Sequence, residues 1–203
     1  MPGNLFIVAA PSGAGKSSLV NALLKREPGI KLSVSYTSRG PRPGEVDGVH
    51  YHFVTKEKFL DMVERGDFLE HALVHGDLKG TAKSAVEGRL AAGEDVLLEI
   101  DYQGARIVRA LLPKTISIFI LPPSRDELEQ RLRRRAQDSE EVILRRMKGS
   151  HDEMAHAHEF DYIVINDRFD VAREQLVTIV HASRLRRDSQ LLRHEILLRQ
   201  LLS

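Results

Sequence analysis

Residues 10–17 read Ala10-Pro11-Ser12-Gly13-Ala14-Gly15-Lys16-Ser17, directly after the apolar run Leu5-Phe6-Ile7-Val8-Ala9. No other stretch constrains the fold as tightly. A short apolar run that ends in a turn is the pattern of a buried parallel strand. The glycines let backbone N–H groups converge on one anion. A helical pattern from Ser17 to Arg26 predicts a helix whose N-terminus adds positive potential at the same place. Lys16 is then set to reach the β- and γ-phosphates of a bound nucleotide, and the Ser17 hydroxyl to ligate Mg²⁺, which leaves kinase, GTPase, ATPase and translocating motor all open. The usual first glycine of such a loop is Ala10 here.

Three further apolar runs, 95–101, 115–121 and 162–165, lie between helical patterns. Strands alternating with helices predict an α/β fold: a P-loop NTPase-type core, with a parallel sheet flanked by helices. Two stretches of other texture interrupt it. Residues 33–93 hold Pro41, Pro43, Gly44 and Gly48 among β-formers, then a helix over 56–65 that stops at Gly66. Thr81 is placed to cap a further helix running to Gly93. This block reads as an inserted α+β lobe. Residues 124–159 are charged and helical; Ser124 with Glu127, and Asp138 with Glu141, have capping-box spacing. That predicts a lid of two helices meeting near Ala136-Gln137. The expected division is therefore a core of 1–32, 94–123 and 160–203, a lobe of 33–93 and a lid of 124–159. For the leucine-rich C-terminal segment, a helix packed on the core is the first expectation and a homo-oligomer helix the second.

The chain has 203 residues, enough for a sizeable core. Its 30 basic and 29 acidic residues give a net charge of +1, which disfavours a nucleic-acid partner. It has no cysteine, which excludes disulfides, thiolate metal sites and a thiol nucleophile. No apolar run approaches the ~20 residues of a membrane span. The sequence therefore predicts no membrane partner and a cytoplasmic location.

Asp101 follows the second apolar run and is expected at the carboxyl end of a strand, beside the phosphates, where it would help hold Mg²⁺. Glu99, two residues earlier, projects to the same side. Arg39 and Arg42 flank Gly40-Pro41 in the lobe. Arg131, Arg133, Arg134 and Arg135 crowd the lid, with Arg145 and Arg146 beyond. A planar guanidinium binds phosphate bidentately and keeps its charge. Two such clusters in two insertions suit phosphoryl transfer between two bound nucleotides. Because like charges repel, the clusters also predict an open free form.

The chain resembles the bacterial guanylate kinases over nearly its whole length. The matching segments are 10–20, 33–54, 68–81, 96–105, 118–124, 131–147 and 161–167, of which 33–54 and 96–105 are the most specific. The resemblance implies transfer of the γ-phosphoryl of ATP to GMP or dGMP, with Mg²⁺. It implies that Glu70 accepts the guanine N1–H and N2–H, that Ser35 and Thr81 contact O6 and N7, and that Asp101, with Glu99 nearby, faces the same nucleotide. Arg39, Arg42 and Tyr51 match the groups that hold the GMP phosphate. Residues 10–17, Arg131, Asn166 and Asp167 fall to ATP. Lys16, Arg39, Arg135 and Arg146 fall to catalysis.

One position departs from the family. A Gly-Asn-x-Tyr-Gly-Thr pattern is usual, and this chain has Gly76-Asp77-Leu78-Lys79-Gly80-Thr81. Lys79 is expected to take the place of the tyrosine hydroxyl on the GMP phosphate. Arg134 and Ala136 stand where lid glycines are common. Two competing readings stay open: a guanylate-kinase-like module that binds phosphoproteins without catalysis, and a kinase of another phosphorylated acceptor. The intact loop at Gly13, Gly15, Lys16 and Ser17 argues against the first. Ser35, Glu70 and Thr81 together argue against the second.

Overall fold

The computed structural model describes residues 3–74, 76–134 and 140–203. Five parallel strands form the central sheet: β1 (Leu5–Ala9), β2 (Ile30–Ser33), β7 (Asp95–Glu99), β8 (Ile116–Leu121) and β9 (Tyr162–Ile165). Their order is β2-β7-β1-β8-β9. The expected α/β core with a parallel sheet is present. The edge strand β2 was not foreseen, because Ile30-Lys31-Leu32-Ser33 is too short and mixed for its period to stand out.

Alternation along β1 builds the two halves of the core. Phe6 and Val8 point to one face and pack with Leu19, Val20 and Leu23 of α1 (Lys16–Arg26) and with Leu176 and Val180 of α7 (Phe169–Arg184). Leu5, Ile7 and Ala9 point to the other. They pack with Val86 of α3 (Lys83–Ala91) and with Ala105 and Val108 of α4 (Tyr102–Leu111). A sheet buried on both faces requires apolar residues at successive positions, as in this strand. The helices following neighbouring strands β1 and β7 thus cover opposite faces. That opens a crevice at the carboxyl ends of these two strands, where ligands enter such folds.

A second sheet, ordered β4-β3-β6-β5, stands over this crevice. It comprises β3 (Tyr36–Thr37), β4 (His52–Phe53), β5 (Phe68–Val74) and β6 (Asp77–Ala82), and α2 (Lys56–Glu64) backs it. Phe59, Met62 and Phe68 form its own small core. Leu69 of β5 packs into the core beside α4, so the lobe is seated on the central sheet. Thr81 does not cap α3. It lies within β6, α3 starts after Ala82 with no side-chain cap, and the Thr81 hydroxyl is used elsewhere.

The helical insertion contains α5 (Arg125–Arg134) and α6 (Glu140–Met154), then a 3-10 turn over Ala157–Glu159. Ser124 caps α5 by accepting the Glu127 N–H at 3.1 Å. The junction expected at Ala136-Gln137, and Asp138, lie outside the described residues. The C-terminal stretch is three helices: α7, then α8 (Arg187–Arg193) and α9 (Glu195–Leu202). Only α7 packs on the core. α8 and α9 bury no residue, and Leu191, Leu192, Ile196, Leu197, Leu201 and Leu202 are all exposed, which overturns the first expectation for this segment. Among the described residues no helix is long and apolar enough to cross a membrane.

Candidate active site

The loop after β1 runs into α1 without a side-chain cap. Gly13 and Gly15 have φ of 93° and 91°, the left-handed region that disfavours any side chain. Gly15 precedes α1 with no side-chain cap, and the first turn of α1 carries no acidic residue. Its leading N–H groups are therefore left to an external anion. The Asn166 side chain braces the loop from behind, donating to the Ala14 carbonyl at 2.7 Å. Asn166 is buried, and its own carbonyl accepts from Arg131 at 3.0 Å.

This loop forms one wall of a cleft of about 280 Å³ between the central sheet and the lobe. Lys16 and Ser17 line it from α1, Glu99 and Asp101 from the end of β7, and Ser35, Arg39, Arg42, Tyr51, Glu70 and Lys79 from the lobe. Arg146 enters from α6. The structure thus gathers onto one cleft residues from Ala10 to Glu153. Thr81 and Ala14 are fully buried behind its walls. Arg131, Asn166 and Asp167 line a neighbouring groove over the loop with Ser18 and Phe169. Arg135 lies outside the described residues.

Of the two carboxylates at the end of β7, Glu99 is the one that meets Ser17 and Lys16. It accepts the Ser17 hydroxyl at 2.5 Å and stands 4.0 Å from Lys16 Nζ. Asp101 instead opens α4, accepting the Gly104 N–H at 3.0 Å, and β7 ends before it. The strand continuation expected through Asp101 is broken by this cap. Ser17, Glu99 and Asp101 supply hard oxygen donors, the chemistry that Mg²⁺ takes.

Glu70 is 5 % exposed and lies directly opposite Thr81 in the β5–β6 ladder. Facing residues of a ladder present side chains on the same side, and the Thr81 hydroxyl donates to Glu70 Oε1 at 2.6 Å. Burial pushes the Glu70 carboxyl up to about 7; the Thr81 hydroxyl pulls the other way, and the charge of Asp101 adds to the rise. Glu70 fits because position 104 is glycine: a Cβ there would stand 2.6 Å from Glu70 Oε2.

At the other end of the cleft, Arg39 is gripped by Glu45 in two bonds of 2.6 Å. The guanidinium hydrogen bonds hold the Glu45 carboxyl down at about 2. Arg39 also stacks over Tyr51 at 5.0 Å, and Lys79 stands 5.7 Å from the same ring. Burial, then the charges of Lys16 and Arg39, push the Lys79 ammonium down. Lys79 lines the cleft beside Arg39 and Tyr51. Carboxylates stand beside three of the arginines: Glu45 pairs with Arg39 at 2.6 Å, Glu127 with Arg131 at 2.8 Å, and Glu129 and Glu140 with Arg133. These carboxylates lessen the like-charge repulsion at those three arginines.

Sequence reasoning missed Glu45, Asp77 and Glu153. Asp77 and Glu153 line the cleft. Asp77 could have been found, since it lies two residues from Lys79 on a strand and shares its face. Glu45 gave no signal, because only the turn at Pro43-Gly44 brings it back onto Arg39. His156 stacks on Tyr102 at 3.9 Å and pairs with Glu159 at 2.7 Å.

Comparison with known proteins places this geometry. The family model described as guanylate kinase matches residues 3–183. A protein of Xanthomonas campestris pv. campestris (strain 8004) named guanylate kinase is 59% identical over 202 residues, with 100% of both chains covered. One of the same name from Xylella fastidiosa (strain Temecula1) is 59% identical over 203 residues, again with 100% of both covered. The crystal structure of guanylate kinase from Anaplasma phagocytophilum superposes with a TM-score of 0.77 at 33% identity, covering 92% of this chain and 88% of that one.

Proposed function

The chain belongs to the guanylate kinase family, an ATP:GMP phosphotransferase family, and from that premise we propose how its own residues carry out the transfer. One observation carries the assignment: the Glu70–Thr81 pair is buried at the far end of the cleft that begins at the phosphate loop.

Guanine offers donors at N1 and N2, and ionised Glu70 accepts both. Thr81, spent on Glu70 Oε1, orients that carboxylate from behind. Ser35 meets the remaining edge of the base. Arg39, Arg42, Tyr51 and Lys79 surround the GMP phosphate, with Glu45 keeping Arg39 in place. ATP lies along the loop, its β- and γ-phosphates on the backbone N–H groups and Lys16. Its base lies in the groove of Arg131, Asn166 and Asp167. A GMP phosphate oxygen attacks the γ-phosphorus, a new P–O bond forms, and the bond to the β-phosphate oxygen breaks to release ADP. The attacking oxygen is already ionised near neutral pH, so no strong base is required. Catalysis is positioning and charge neutralisation by Lys16, Arg39 and Arg146. Mg²⁺ held near Ser17, Glu99 and Asp101 would supply further neutralisation of the phosphates.

The reading extends to dGMP, because no residue above is assigned to the ribose 2′-hydroxyl. It extends to action in the cytoplasm, where both nucleotides are at hand. It also extends to a homo-oligomer in which the exposed leucines of α8 and α9 meet those of a second copy. Sedimentation should then show a larger species that Leu197→Glu reduces to a monomer; a monomeric parent protein contradicts that part.

Calorimetric titration tests the base site. Glu70→Gln turns an N–H toward guanine's donors and should weaken GMP by about 1.5–3 kcal/mol while an ATP analogue binds as before. Unchanged GMP affinity in a folded Glu70→Gln protein would contradict the assignment.

A further inference from the structure

The face of α6 that meets the phosphate loop has no role in the steps above beyond Arg146. Arg146, Ser150 and Glu153 lie at i, i+4 and i+7, one side of a helix. The Ser12 N–H donates to Glu153 Oε2 at 3.0 Å, and the Ser150 hydroxyl donates to the Ser12 carbonyl at 3.2 Å. Ser150 is 1% exposed, and Glu153 lines the cleft together with Arg146. Both backbone polar groups of one loop residue are thus taken by one helix face. Ser12 precedes Gly13, where φ turns positive and the loop begins to curl around its anion.

A carboxylate on the wall of a polyphosphate site opposes the ligand by charge. Its contact here is with a backbone N–H at the mouth of the loop. We propose that Glu153 is a positioning residue for phosphoryl transfer. With Ser150 it clamps the Ser12 peptide, and through the rigid turns of α6 it holds Arg146 in register with Lys16 across the γ-phosphoryl position. The loop and one cation of the opposite wall are thereby placed before ATP arrives. This rests on the reading of the loop as the ATP phosphate site.

The test is steady-state kinetics on the full chain, with Glu153→Ala, Glu153→Gln and Ser150→Ala run beside Lys16→Ala. Loss of the clamp should lower kcat of Glu153→Ala roughly 10–100-fold, the effect of a small misplacement of reacting groups. The KM for GMP should stay within about twofold, since the base site is untouched. Glu153→Gln keeps an acceptor oxygen and should regain most of the lost kcat. Ser150→Ala should show a smaller loss of the same kind, and it decides the matter if Glu153→Ala does not fold. Wild-type kcat in Glu153→Ala would overturn the proposal. So would faster turnover with tighter ATP, which would make Glu153 a mere competitor of phosphate. Equal losses in the Ala and Gln variants with a lowered melting midpoint would assign the contact to stability alone. Near-wild-type turnover in Lys16→Ala would instead refute the reading of the loop, whatever Glu153 does.

Discussion

Burial holds the Glu70 carboxyl up at about 7, while guanine's N1–H and N2–H require a carboxylate. GMP binding must then expel a proton below that pH, and affinity should fall by up to about tenfold per pH unit on the acid side. The GMP phosphate titrates in the same region, near pH 6, so a variant is needed to separate the two. Thr81→Ala removes a bond that lowers the Glu70 value and should move the inflection to higher pH. An inflection at the same pH in both proteins would point to the phosphate alone. The same shift acts on stability. A carboxyl raised in the folded state favours folding fully below about pH 4.5, and this contribution is lost as pH rises through about 7. Lys79 is the complementary case, a half-buried ammonium crowded by Lys16 and Arg39 and depressed by burial. Lys79→Ala should raise the KM for GMP, leave that for ATP nearly alone and make GMP binding less sensitive to salt. Lys79→Tyr should restore much of the affinity. If Lys79→Ala leaves both the KM and the salt dependence unchanged, Arg39, Arg42 and Tyr51 hold the phosphate without it.

The start of α4 carries more of the site than its sequence suggests. Asp101 caps it through Gly104, and the missing Cβ of Gly104 leaves room for Glu70 Oε2. Gly104→Ala should disturb Glu70 by overpacking, costing about 1–3 kcal/mol, and should raise the KM for GMP more than that for ATP. Normal kinetics for GMP in Gly104→Ala would show that Glu70 has room to move. Sequence patterns reached some elements and not others for physical reasons. β1, β8 and α1 were legible because apolar runs and a glycine turn are local signals. Thr81 has a cap residue's chemistry and stands just before α3, yet cross-strand pairing with Glu70 claims its hydroxyl. β2 is set by pairing with β7 rather than by its own pattern. The leucines of α8 and α9 read as core by their spacing, yet neither helix buries a residue.

Across the whole molecule, β1 feeds two cores on opposite sides of the sheet, and the proposed chemistry falls in the crevice between them. Lys16 and Arg39 stood out in the sequence by a glycine loop and a turn, Glu70 only through the family resemblance, and all three line one cleft. Glu45, the counter-charge of Arg39, and Glu153, the acceptor of the Ser12 N–H, gave no such signal, because only the folded chain brings them to their partners. Lys16 is dispensable to either core. Lys16→Ala should keep the melting midpoint while losing about 3–4 kcal/mol of transition-state stabilisation, by analogy with a lost oxyanion donor. The most direct measurement is ADP release from ATP with GMP, dGMP or AMP as acceptor. Adenine would leave buried Glu70 facing the wrong groups, so GMP and dGMP should drive turnover on the order of 10⁴-fold more efficiently than AMP. ATP turnover no faster with GMP than without it, or equally fast with AMP, would contradict the assignment of this cleft to guanine.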